Sequence, residues 1–188
     1  MPFTHVVKDL RRWSARALRR WLAITVLASS ALLGGGALAA PALADGTFGT
    51  HLTPGNTYLL QLDVAGASTA PGAPVIDWFS NGGANQSWTF SQHGTDNGTP
   101  VYEIVNQNSG QCLTTDGVAA DQVYQLQCTG SPIQLWATGL TGQDLSDRTI
   151  RNESSGLYLD VNGNSPWPGA AIDTWYYNGD SNQGFATD

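Results

Sequence analysis

From about residue 50 onward, apolar and polar positions alternate in short bursts. Tyr58-Leu59-Leu60-Gln61-Leu62, Val101-Tyr102-Glu103-Ile104-Val105, Val123-Tyr124-Gln125-Leu126, Thr149-Ile150-Arg151 and Leu157-Tyr158-Leu159 are runs of apolar, aromatic or β-branched residues. Loops rich in Gly, Asn, Asp, Ser and Pro separate them. Runs of this length bounded by turn formers predict strands, and no stretch sustains a helical period over three turns. The expected class is all-β.

A longer period lies over these bursts. Gln86-Ser87-Trp88, Gln134-Leu135-Trp136 and Gln183-Gly184-Phe185 repeat Gln, any residue, then a large aromatic, with the Gln positions 48 and 49 residues apart. The outer copies extend further. A gapless shift of 97 residues superposes Leu62-Asp63-Val64 on Leu159-Asp160-Val161, Gly72-Ala73 on Gly169-Ala170, and Trp78 on Trp175. The same shift places Asn81-Gly82 on Asn178-Gly179 and Asn85-Gln86 on Asn182-Gln183. A fixed period of this size marks repeated supersecondary units. Three units of about 48 residues, each with about four short strands, predict a pseudo-threefold barrel that leaves few free edges. The lobes expected are about 50–98, 99–147 and 148–187, within one domain spanning 45–188.

The first 44 residues differ in composition. Arg11, Arg12, Arg16, Arg19 and Arg20 precede an apolar stretch from Trp21 to Leu43 that closes on Ala42-Leu43-Ala44. This order reads as a secretory signal peptide over 1–44, with Asp45 as the mature N-terminus and a secreted product. The rival is a retained membrane anchor, against which Pro41 and the small-x-small triplet argue. Arg19-Arg20-Trp21-Leu22 only loosely matches a twin-arginine signal. The leader carries six of the eight basic residues and one of the fifteen acids. Arg148 and Arg151 are then the only cations against fourteen acids. Such a balance releases no phosphate counterions and is repelled by anionic lipid. Nucleic acid and membranes are therefore not expected partners, and a neutral ligand is.

Cys112 and Cys128 are an even pair in a chain read as exported, which favours a disulfide over two free thiols. It would close a loop of roughly 16 residues, worth about 3 kcal/mol in the chain-entropy model.

The Gln-x-Trp repeat, together with Leu-Asp-Val upstream and Asn81-Gly82-Gly83-Ala84-Asn85-Gln86 before Trp88, resembles the ricin-type β-trefoil lectins, which also occur as carbohydrate-binding modules of secreted bacterial enzymes. The resemblance covers roughly residues 50–187 and implies a β-trefoil. It further implies that Trp88, Trp136 and Phe185 organise the hydrophobic centre of each lobe. The residues it assigns to carbohydrate are Asp63, Ile76, Trp78, Asn85 and Gln86 in the first lobe, and Asp160, Asp173, Trp175, Asn182 and Gln183 in the third.

The residue chemistry agrees with such a ligand. Asp63 and Asp160 stand inside apolar runs, where an unpaired carboxylate is costly, and each is followed at the same spacing by a Trp and an Asn. A carboxylate accepts strong bonds from adjacent hydroxyls, an amide both donates and accepts, and an indole covers the C–H face of a pyranose. The alternative for the aspartates is turn capping. In the middle repeat Thr114, Leu126 and Ile133 fall at the Asp, Trp and Asn positions, so that lobe is expected to be structural, with Asp116 as a partial substitute. Trp167, aligned with Ala70, is either a second stacking surface or a loop anchor.

Galactosides, xylan and arabinan are all plausible glycans from the family, bound by a monomer without cofactor or metal. Other readings are weaker. Asp63 and Asp160 as a glycosidase pair would lie in different lobes, whereas such carboxyls stand within about 10 Å; His51 and His93 lie in polar loops without a nucleophile motif. Asp160-Val161-Asn162-Gly163-Asn164 opens like a calcium loop, but Ser165 replaces its Gly and Ala171 its bidentate acid. A trefoil whose loops bind another protein, such as a protease, remains the main alternative.

Overall fold

The computed structural model describes residues 46–57, 59–142 and 148–188. The expected signal peptide and Tyr58 lie outside the described residues.

Twelve strands are described, four to a lobe: β1 (Phe48–Pro54), β2 (Leu60–Val64), β3 (Val75–Phe79) and β4 (Ser87–Asp96), then β5 (Thr99–Asn106), β6 (Cys112–Thr114), β7 (Tyr124–Leu126) and β8 (Leu135–Ala137), then β9 (Arg151–Asn152), β10 (Tyr158–Val161), β11 (Ile172–Trp175) and β12 (Phe185–Thr187). The apolar runs find the strands to within a few residues, although β9 opens only at Arg151 and β2 runs on through Asp63 and Val64.

The first and last strands of each lobe form a closed barrel. β4 pairs with β1 and β5, β8 with β5 and β9, and β12 with β1. A bridge between Arg148 and Phe185 joins the last lobe's ends and completes the circuit. Closure removes the free edges that make isolated sheets prone to association.

The middle strands of each lobe form three hairpins, β2–β3, β6–β7 and β10–β11. These pair with one another through single bridges, Pro74 with Tyr124, Ile76 with Ala171 and Gln122 with Asp173. Successive backbone bonds, Val75 N to Val123 O (3.0 Å) and Val123 N to Ile172 O (2.9 Å), run through the three lobes in turn. The hairpins therefore cap the barrel as a triangle.

The Gln-x-aromatic motif has a physical explanation in this frame. Trp88, Trp136 and Phe185 are fully buried in one continuous core with Leu62, Leu113 and Leu159. A buried indole N–H needs an acceptor, and Trp88 donates to Leu62 O (3.1 Å) and Trp136 to Leu113 O (3.0 Å). Each Gln clamps the hairpin of its lobe. Gln86 Nε2 donates to Phe79 O (2.9 Å) while its Oε1 accepts from Asn81 N (2.9 Å). Gln134 does the same with Gln127 O and Thr129 N, and Gln183 with Tyr176 O and Asn178 N. The motif thus ties the hairpin cap to the barrel core.

Cys112 and Cys128 are joined in a disulfide with Cα atoms 5.0 Å apart. It links the start of β6 to the chain just after β7.

Candidate functional site

On the outer face of the first and third hairpins the alternation of the strands gathers the repeated polar residues. In antiparallel strands directly paired residues project on the same side. Asp63 pairs with Ile76 and Gln61 with Trp78 in the first lobe; Asp160 pairs with Asp173 and Tyr158 with Trp175 in the third. Asn85 and Asn182 reach the same face from short turns that precede the Gln-x-aromatic segments.

Two concavities result. One, of about 370 Å³, is lined by Asp63, Ile76, Trp78 and Asn85, with Asn81, Gly66 and Ala67. The other, of about 390 Å³, is lined by Asp160, Asp173, Trp175 and Asn182, together with Asn162, Asn164, Asn178, Asp180 and Ala120. In each, a carboxylate only 3–4% exposed sits beneath an indole left 41–42% exposed. A large ring half in solvent beside a buried charge is poorly explained by folding alone.

Two of the residues expected at the carbohydrate sites stand behind the concavities. Gln86 and Gln183 are fully buried and line neither concavity. Their amides are consumed by the hairpin clamp, and Gln86 Nε2 additionally donates to Asp63 Oδ2 (2.8 Å). Gln86 thus holds the Asp63 carboxylate from behind. Trp167, exposed in its loop, lines neither concavity either.

Other wall residues were not among those expected to touch carbohydrate. The loops after β2 and β10 turn through the left-handed region, Gly66 at φ 64° followed by Ala67 at 51°, and Gly163 at 64° followed by Asn164 at 52°. Glycine accepts such a conformation freely and Asn better than most. The 97-residue shift was the available signal, since it carries Gly66 onto Gly163 and Asn81 onto Asn178.

Hydrogen bonding leaves buried acceptors in the residues that line the third-lobe concavity. Asn182 Nδ2 donates to Asp160 Oδ1 (2.9 Å) and Val161 O (3.2 Å), and Asn162 Nδ2 to Asp173 Oδ2 (2.6 Å). Asp160 Oδ2, Asp173 Oδ1 and Asn182 Oδ1 are buried without a protein partner. A buried unsatisfied acceptor costs roughly 1–3 kcal/mol, and a ligand that donates hydroxyls to it recovers that cost. Burial pushes the Asp160 carboxyl up to about 6; the nearby Gln183 amide opposes this and the Asp173 charge adds to it, while Asn182 lowers it and Asp180 raises it to a smaller extent. Burial also raises Asp173, against the hydrogen bond from Asn162, and Asp63, against those from Gln86 and Asn85.

The walls of the two concavities differ in kind. Where the third lobe has the hydrogen-bonded pair Asn162 and Asp173, the first has Ala65 and Ile76. The third concavity is also bordered by Asp180, where the first lobe has Gly83.

The middle hairpin keeps the same register with other chemistry. Thr114 pairs with Tyr124 and Cys112 with Leu126, so Thr114 and Leu126 occupy the carboxylate and indole positions. The Thr114 hydroxyl accepts from Gln134 Nε2 (3.0 Å) and donates to Cys112 O (2.8 Å), which uses its one proton, and the residue is fully buried. Asp116 accepts from Val118 N (2.9 Å) in its own loop. Among the described residues, the His, Cys, Asp or Glu ligand atoms that converge within 4.8 Å in a group of three belong to Glu103, Cys112 and Cys128, and both sulfurs are in the disulfide. The aspartates of the third concavity form no such set.

Comparison with known proteins agrees with this architecture. No curated protein matches the chain. Among solved structures, the designed threefold-symmetric protein ThreeFoil superposes with a TM-score of 0.64 at 30% identity, over 76% of this chain and 98% of that one. The C-half of the earthworm R-type lectin, solved in complex with GalNAc, gives 0.55 at 21% identity over 75% and 99%. An exo-β-1,3-galactanase from Clostridium thermocellum gives 0.65 at 26% identity over 74% of this chain but only 30% of that enzyme. The model of the ricin-type β-trefoil lectin domain-like family matches residues 84–175 and 134–188, from the first Gln-x-Trp segment to the third. The chain is a ricin-type β-trefoil, and it belongs to that lectin-like family.

Proposed function

We propose that this protein is an exported, non-catalytic lectin that binds pyranose units of galactoside-type or xylan/arabinan-type glycans at two sites, in its first and third lobes. The observation that carries the reading is the pairing of an exposed indole with a buried carboxylate and amide on the same face, in two lobes of three. A pyranose stacks a C–H face on the ring and donates hydroxyls to the carboxylate and amide oxygens. The middle lobe, with its hydroxyl buried and a leucine for the ring, plays a structural role. The sugar-bound earthworm lectin, alike in fold, supports a glycan as the ligand class.

Two shallow sites on one rigid domain gain from multivalency on polymers or clustered glycans, so polysaccharide is retained far more strongly than monosaccharide. The test is a glycan array with the mature protein, repeated with the Asp63→Ala, Asp160→Ala double variant. Loss of glycan retention in a folded double variant supports the reading. Retention unchanged, or inhibition of a protease that survives both substitutions, favours a protein-binding trefoil. Asp160 and Asp173 lie side by side, so release of reducing sugar from a bound glycan is the assay that would make the protein an enzyme instead.

A further inference from the structure

The third lobe carries an aromatic pair that its two sister lobes lack. Tyr158 and Tyr177 stand with ring centroids 5.2 Å apart at 49°. At the corresponding positions the first lobe has Gln61 and Ser80, and the middle lobe has the disulfide-bonded Cys112 and Cys128. The first lobe forms the same hairpin, with the same Gln clamp, from small or polar residues. The fold therefore does not require two tyrosines here, and Tyr177 remains 64% exposed.

Their position is the informative part. Tyr158 is the direct cross-strand partner of Trp175, so its ring leaves the sheet on the same face and beside the indole. Trp175 lines the third-lobe concavity. Tyr158 lines a neighbouring one of about 340 Å³, together with Thr99, Thr138, Arg148, Thr149 and Arg151. Trp175 thus borders one concavity and its cross-strand partner Tyr158 the other, and Tyr177 packs against Tyr158. Arg151 donates to both Asp96 and Glu153 (2.9 Å to the latter), so its charge is balanced where it borders this second space. The threonine hydroxyls of this space can both donate to and accept from a polyhydroxylated ligand.

We propose that Tyr158 and Tyr177 form a second sugar subsite, which makes the third lobe a reader of linear oligosaccharides while the first lobe reads single terminal units. One pyranose sits over Trp175, and the next in the chain lies on the tyrosine pair and extends toward Thr138 and Thr149. This rests on the reading of the third lobe as a sugar site.

The experiment isolates each site in the full mature chain. Asp63→Ala leaves the third site, and Asp160→Ala leaves the first. Each variant is titrated by calorimetry with galactose and a linear galactotriose, and with xylose and xylotriose. Aromatic contacts of this kind contribute about 0.5–1.5 kcal/mol. The expected result is that the third site binds the trisaccharide roughly threefold to tenfold more tightly than its monosaccharide, and that the first site shows no such ratio. Adding Tyr158→Ala or Tyr177→Ala to the Asp63→Ala background returns the ratio to about one, and Tyr158→Phe, which keeps the ring, retains it. A ratio that survives both alanine variants, or that appears equally in the first lobe, overturns the subsite while leaving the lectin reading intact. Absence of binding by any of these sugars to the third site overturns both.

Discussion

On the proposed function, protonation of Asp160 sets the pH range in which the third lobe binds sugar. Its carboxyl stands at about 6 against an ordinary 3.8, chiefly because it is buried. If the ionised form accepts the ligand's hydroxyls, the competent fraction of the site follows that titration. At pH 7 about nine-tenths of the sites are ionised, and at pH 5 about one-tenth are. Apparent affinity scales with that fraction, so binding weakens about tenfold between pH 7 and pH 5. The assay is calorimetry with a monosaccharide in the Asp63→Ala background, which silences the first lobe. Substitution Asp160→Asn removes this titration and most of the affinity, leaving only the titration of Asp173 to act on the site.

The same residue makes an opposite demand on stability. A carboxyl raised in the folded state favours folding at low pH, and that contribution is lost as pH rises from 3.8 through about 6. The shift corresponds to roughly 3 kcal/mol, of which an amide at the same place recovers part while losing some hydrogen-bond strength. Asp160→Asn is therefore expected to be more stable than the natural protein by about 2 kcal/mol at pH 7.5, with the difference shrinking toward pH 4, even as it fails to bind. Constant affinity from pH 5 to 7, or an unstable Asp160→Asn variant at neutral pH, would refute the reasoning.

Two further outcomes follow from the scaffold. Replacing both Cys112 and Cys128 with Ala lowers unfolding stability by about 3 kcal/mol, read by urea denaturation, and leaves sugar binding in the outer lobes unchanged. Asp77, fully buried where the first and third hairpins meet, accepts from Ala170 N (2.8 Å) through Oδ1, while Oδ2 is buried unpartnered. Burial raises its carboxyl, against backbone bonds from Ala170 and Gly169, so its ionisation works against the fold as pH rises. Asp77→Asn accordingly raises the thermal midpoint at pH 7 and gains less in acid; a midpoint lowered at pH 7 would count against that.

How much of this was readable beforehand depends on whether a residue's role is local. The Gln-x-aromatic repeat reported the lobes faithfully because each Gln makes the same clamp to its own hairpin, and each aromatic fills the same core. Asp63, Trp78 and Asn85 line a concavity that matches that of their third-lobe counterparts because the strand register repeats without a gap. Gln86 and Gln183 lie buried behind the concavities, a placement the sequence could not give: a polar side chain reads alike whether it faces a concavity or the interior behind it. Ala120, a middle-lobe residue at the edge of the third concavity, lies beyond any local pattern, since the contact arises where neighbouring hairpins meet. The tyrosine pair was hidden for another reason. Only the register shows that Tyr158 and Tyr177 occupy the places held by the disulfide in the middle lobe.

The most direct test of the two-site claim is the calorimetric stoichiometry of a monovalent sugar. Two sugars per chain are expected for the natural protein, one after Asp63→Ala, one after Asp160→Ala, and none after both. A stoichiometry of three, or a double variant that still binds through the Thr114 and Leu126 face, would contradict it.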